Sequence, residues 1–392
     1  MTNKVTNSGG VAFNDIANLV FTEQVNTESQ LKPGAVCASC IQFDLYDTNG
    51  ESVSTGDVLS YYQVDDNNTQ TLIGIFNVTV VEQRRSKQVI TAYDNIVKLD
   101  MDFSRKLAQL QNSFPLTANG LVRAACEVAG IEWDEIVFPL YDVQFQKFYV
   151  DKISCRQIVS WVAELSCCFV KCNTSGKIGL SWYQENEDYR IYPTSGISLD
   201  NETYVFYKMN GLAYSDELSA AVAIIKINLD DNAENIYYYP ASYSQVYAQD
   251  IGDGDLEIMN MTVTDIGDET YGDIILYNSI LYTFDTSGFG DMTVLEDQES
   301  VKIYNIADNL LLKNATDTTL RKVAKHLYDE LNAFPVFRDT QVDLFRFFNP
   351  FRAGQIAKVT DILNTSFVFP IMKLEQSSNA ARLSTDNLNV EG

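Results

Sequence analysis

Apolar and polar residues alternate with a period of two over much of the chain. Residues 35–46 and 71–93 read as strands, because runs such as "LIGIFNVTVVE" place apolar side chains on one face of an extended backbone. They are broken by "DTNG" and "QRRSK", which is turn chemistry, so a small antiparallel barrel or sandwich is expected over residues 1–93. The alternation returns after residue 186 in "TYVFYKMN", "AAVAIIKINL", "IYYYP" and "DIILYNSILYTF". The chain closes with "QVDLFRFF", "QIAKVTD" and "FVFPIMKLEQ", and Pro350 and Gly354 turn the chain between the first two of these.

Between the β regions the period changes to that of a helix. In "FPLTANGLVRAACEVAG", Thr117 caps, Leu121, Ala125 and Val128 form an apolar row, and Gly130 stops the helix. "SCRQIVSWVAELSC" predicts another, with Ser154 and Gln157 as a capping box and Ile158, Trp161, Val162 and Leu165 on one face. A hairpin follows in "CFVKCNTSGKIGLSWY", with "NTSG" at its tip. A further helix, at about residues 317–332, runs through "TLRKVAKHLYDEL", with Leu320, Val323, Ala324, Leu327 and Leu331 as its apolar face. The expected fold is α+β and predominantly β. Residues 1–93 and 186–392 form β regions, and residues 94–185 a helix-containing α+β domain.

The junction at residue 94 is unusual. "VITAYDNIVKLDMDF", residues 89–103, begins as a strand and becomes a short helix, with Asp94 where the helix wants an N-cap.

Composition narrows the possibilities. A chain of 392 residues suggests two to three domains, and 46% hydrophobic residues with 22 Tyr and 21 Phe can fill real cores. No run reaches the ~18 apolar residues of a membrane helix, so no membrane insertion is expected. The polar start "MTNKVTNSGG" lacks the apolar core of a secretory signal, so synthesis and assembly in the cytoplasm are expected.

Lys and Arg total 28 against 53 Asp and Glu, a net charge of −25. Such a chain lacks the cations that displace phosphate counterions, so it is not expected to seek nucleic acid. From Ile227 to Val301 there is no Lys, Arg or His, and 16 carboxylates stand in the stretch. This segment reads either as a solubilising surface or as a wall that repels a polyanion.

Chemistry-bearing patterns are sparse. Seven cysteines cannot all pair within one chain. Cys37 and Cys40 form a C-x-x-C, but no second pair stands at zinc-ribbon spacing, and strand alternation explains "AVCASCIQFDLY" better. His326, the sole histidine, falls away from the apolar helix face and reads as a solvated surface residue. No G-x-S-x-G, Walker or H-E-x-x-H pattern occurs. "DIGDGDLE" and "DIGDET", around Asp253, Asp255, Asp265 and Asp268, depart from EF-hand spacing and read as acidic turns. No catalytic residue, cofactor or metal site is predicted.

Three features occur in order: "ITAYDNIVKLDMDF"; a "T-x-x-x-L-V-R-A-A-C-E-V-A-G-I" helix followed by "SCRQIVSWVAELSCCFVKCNTSGKIGLSWY"; and "FNPFRAGQIAKVTD". Together, over about residues 70–185 and 303–376, they resemble the baseplate hub and tail-tip proteins of phages and contractile injection systems. Trp161, Ala163 and Glu164 match that family's helix motif, Gly176, Lys177, Ile178 and Leu180 its hairpin, and Pro350, Gly354, Ile356 and Val359 its closing strand pair. Cys167 and Cys168 replace small residues, and Gln355 stands where Asp is usual.

The resemblance implies two antiparallel tube-like β-barrel domains per subunit, with the helical domain between them, in a homotrimer. That ring would adapt a sixfold tail tube or distal tail protein to a threefold spike or fibre protein, beside the tape measure protein. It would sit in the virion, at the tail tip or baseplate, with DNA passing through unbound. Asp253, Asp255, Asp265 and Asp268 are then candidates for the channel wall. Two other readings stay open: a receptor- or carbohydrate-binding tail protein, suggested by the aromatic content, and a tail-associated cell-wall hydrolase.

Overall fold

The computed structural model describes residues 2–26, 32–46, 52–65, 67–191, 197–204, 208–216, 221–226, 245–252, 255–262, 281–284, 292–295, 301–307 and, with short breaks, 309–385. The chain divides into two compact units. The first comprises Met1–Asp142, Val150–Val205 and Pro335–Gly392, and the second Val143–Tyr149 and Phe206–Phe334.

The first unit is built on a ten-stranded sheet. Six strands come from the N-terminal region: β1 (Thr2–Asn7), β2 (Ile16–Gln24), β3 (Cys40–Tyr46), β4 (Val58–Val64), β5 (Gln70–Arg84) and β6 (Lys87–Tyr93). The other four are Ile197–Tyr204, Phe337–Phe345, Lys373–Ser377 and Ala380–Ser384. Strand order is β1-β4-β5-β6-β3-β2, then Lys373–Ser377, Ala380–Ser384, Phe337–Phe345 and Ile197–Tyr204. Every neighbouring pair in it is antiparallel. The ladder between β2 and Lys373–Ser377, with Phe21 opposite Gln376, joins the two ends of the chain.

Period-2 burial explains why these strands hold. Leu19 and Phe21 of β2 and Ile41, Phe43 and Leu45 of β3 are all buried. Phe21 meets Tyr61 and Phe76 at ring-centroid distances of 5.8 and 6.2 Å. A fully buried side chain of this size contributes about 1.5–3 kcal/mol.

Several strand expectations are corrected. The strand expected from residue 35 begins at Cys40, and before it only Val36 bridges, to Val170. "FVFPIMKLEQ" is two strands, Ser366–Pro370 and Lys373–Ser377, because Pro370 has no N–H to continue a ladder. Not all pairing is antiparallel: Gln184–Ile191 runs parallel to Gln355–Thr360, and Lys208–Asp216 parallel to Val301–Ala307.

The helices follow their capping signals. After a 3-10 turn at Asn95–Asp100 come α1 (Ser104–Leu110), α2 (Ala118–Ala129) and α3 (Cys155–Leu165). Thr117 accepts a hydrogen bond from the Gly120 N–H, and Gly130, at φ 65°, ends α2 in the left-handed conformation. Ser154 accepts from the Gln157 N–H, and Ile158, Trp161, Val162 and Leu165 are buried as the spacing requires. The helix α1 was not expected; the Asp102 carboxylate starts it by accepting from the Ser104 N–H at 3.0 Å.

In the second unit, Lys208–Asp216 lies between Ala221–Lys226 and Val301–Ala307. Thr319, Lys322, Val323, His326, Leu327, Glu330 and Leu331 are helical, with Val323, Leu327 and Leu331 fully buried. Leu320 and Ala324 lie outside the described residues. His326 is not a solvated residue: its side chain is 14% exposed, and Nδ1 stands 3.9 Å from Glu330 Oε1. Position 326 is three residues from Val323, so it borders the apolar stripe rather than opposing it. Among the described residues no helix is long and apolar enough to cross a membrane.

Candidate functional site

The three sequence features that carry the resemblance meet in the first unit, around one buried carboxylate. Glu23 follows Leu19 and Phe21 on the inward phase of β2 and is only 1% exposed. A charge there needs partners, because an isolated buried carboxylate is very costly. Arg352, from the "NPFRAG" turn, supplies them: Nε donates to Glu23 Oε2 at 2.8 Å and Nη2 to Oε1 at 2.7 Å. The Ala353 N–H adds a bond to Oε2 at 2.9 Å. Lys171, on the strand Phe169–Cys172, holds Nζ 3.3 Å from Oε1 and donates to the Ala353 carbonyl at 2.7 Å. The guanidinium also lies over the Phe21 ring, 5.6 Å from its centroid.

Burial alone would raise the Glu23 pKa, but the charges of Lys171 and Arg352, with the hydrogen bonds from Arg352 and Ala353, lower it to about 2. The carboxylate stays ionised and occupied.

The turn that delivers Arg352 depends on Gly354. Its φ is 89°, and a Cβ there would run into the ring of Phe169. The glycine read as a turn residue is therefore also a packing requirement against the Lys171 strand.

The strand-to-helix junction is the second anchor. Asp94 is buried, accepting from the Ile96 N–H through Oδ1 and from the Ser39 N–H through Oδ2, both at 2.9 Å. It caps the 3-10 turn as expected and also ties it to the segment before β3. Burial pushes its pKa up to about 6, against the pull of these hydrogen bonds. Asn95 Nδ2 then donates to the Gly176 carbonyl at 2.6 Å, linking the junction to the "NTSG" tip. Gly176 has φ 84°, and a Cβ there would press on Asn95 Nδ2. Arg156 of α3 donates to Asp100, Val36 and Ile96, and Ser160 Oγ to the Gly34 carbonyl at 2.7 Å.

The cluster fastens four stretches of chain together. Its carboxylates are committed to donors, so it offers no free general base. None of the seven cysteines forms a disulfide, and burial raises the pKa of Cys37 and Cys40 to about 11. Among the described residues no group of three or more His, Cys, Asp or Glu could hold a metal.

Of the proposed channel residues, Asp255 begins the strand Asp255–Thr262, opposite Gly252. Asp253, Asp265 and Asp268 lie outside the described residues. The Glu23–Lys171–Arg352 cluster was not anticipated. A usable signal was present in "NLVFTEQ", where an acid occupies the apolar phase of a strand.

No family model matches the sequence, and neither does any curated protein. The fold does have solved counterparts. The 43 kDa tail protein of prophage MuSo2 from Shewanella oneidensis aligns over 98% of this chain and 98% of its own, at TM-score 0.51 and 10% identity. The chain shares the fold of that tail protein. Two further tail proteins align at lower TM-scores. That of Neisseria meningitidis MC58 covers 98% of this chain and 95% of its own, at 0.45 and 10% identity. Prophage tail protein gp18 of Listeria monocytogenes EGD-e covers 100% and 96%, at 0.46 and 10% identity. The alignment with the MuSo2 protein covers both ends of the chain, which β2 and Lys373–Ser377 join.

Proposed function

We propose that the chain is a structural component of a phage tail tip, the hub of its baseplate, with a mechanical rather than an enzymatic role. The observation that carries this reading is the alignment of nearly the whole chain on a prophage tail protein. The buried cluster supports it, since two cations and one carboxylate from distant stretches fasten the fold. A part that transmits force during ejection needs such fastening.

In this reading the hub is a homotrimer. The strands β1–β6 and the later strands of the ten-stranded sheet belong to two similar tube-like barrels, flanking the helices α1–α3. The ring joins the sixfold tube or distal tail protein to a threefold spike or fibre, next to the tape measure protein, and DNA passes through without specific binding. Asp253, Asp255, Asp265 and Asp268 face the channel, where carboxylates within about 8 Å repel phosphate at physiological salt. Rings close only at a fixed rotation, so the tube acts as the template for closure.

Gold-labelled antibody against the chain, applied to intact virions, tests the assignment. Label at the distal end of the tail is expected. Label on the head, or none on virions that contain the chain, overturns it.

A further inference from the structure

We draw no further inference here: the strongest candidate, the cleft of about 460 Å³ beside the ion cluster of the first unit, with Ile136 and Val137 exposed at its edge, carries nothing, because its Lys171 and Arg352 belong to the cluster already described and nothing in the structure shows what covers the two aliphatic side chains.

Discussion

Arg352→Met is the most informative single substitution, because it removes the guanidinium fork while keeping a long apolar side chain over Phe21. Glu23 would keep the Ala353 N–H and Lys171, so the loss belongs at the low end for breaking a buried pair, about 3 kcal/mol. The lowered pKa of Glu23 gives a second figure. Lowering the pKa of Glu23 from 4.5 to about 2 corresponds to about 3 kcal/mol of stability. The folded value is the lower one, so this stability is present above pH 4.5 and lost as the pH falls towards 2. About 2 kcal/mol of it should be gone between pH 7 and pH 3.

All three tryptophans, Trp133, Trp161 and Trp182, lie in the first unit, so their emission during urea unfolding reports that unit alone. Comparing the unaltered chain with Glu23→Gln at pH 7 and pH 3 isolates the Glu23 contribution from other groups. The gap should narrow by about 2 kcal/mol on acidification. A loss under about 1 kcal/mol for Arg352→Met, or a gap that does not change with pH, would show that Glu23 does not depend on the guanidinium.

Other consequences can be checked in the same way. Asp94 has the opposite sign, since its folded pKa is raised to about 6 and its favourable contribution is lost as the pH rises through that value. Asp94→Asn keeps a capping side chain, so its melting temperature relative to the unaltered chain should improve between pH 4 and pH 7; a constant difference would contradict this. Gly354→Ala combines φ 89° with a collision at Phe169 and should cost at least about 2 kcal/mol by urea unfolding, whereas a neutral result would show that the turn can move. Replacing Asp253, Asp255, Asp265 and Asp268 with Lys should give particles that assemble but deliver DNA poorly. Normal infectivity with normal assembly would remove the acidic segment from any role in DNA passage.

What could be read from the sequence was local. Asp94, Thr117 and Ser154 each cap an N–H two or three residues further on, Gly130 ends α2 locally, and each occupies the cap or stop its neighbours implied. Strand existence was legible for the same reason, through period-2 burial in β2 and β3. Partners far along the chain were not legible. Glu23 and Arg352 are separated by 329 positions, and no local pattern pairs them. The ladder from β2 to Lys373–Ser377 and the two parallel pairings likewise depend on how remote segments return. The resemblance named the right turns, at Gly176 and Gly354, but not what they serve: each glycine lets the backbone come up against a side chain, Asn95 in one case and Phe169 in the other.

Copy number at the tail tip tests the hub assignment most directly. A cryo-electron microscopy reconstruction of the purified tail tip should show three copies of this chain around the channel, each contributing two barrels to a ring that meets the sixfold tube. Six or twelve copies would contradict the hub and assign the chain to the distal tail instead.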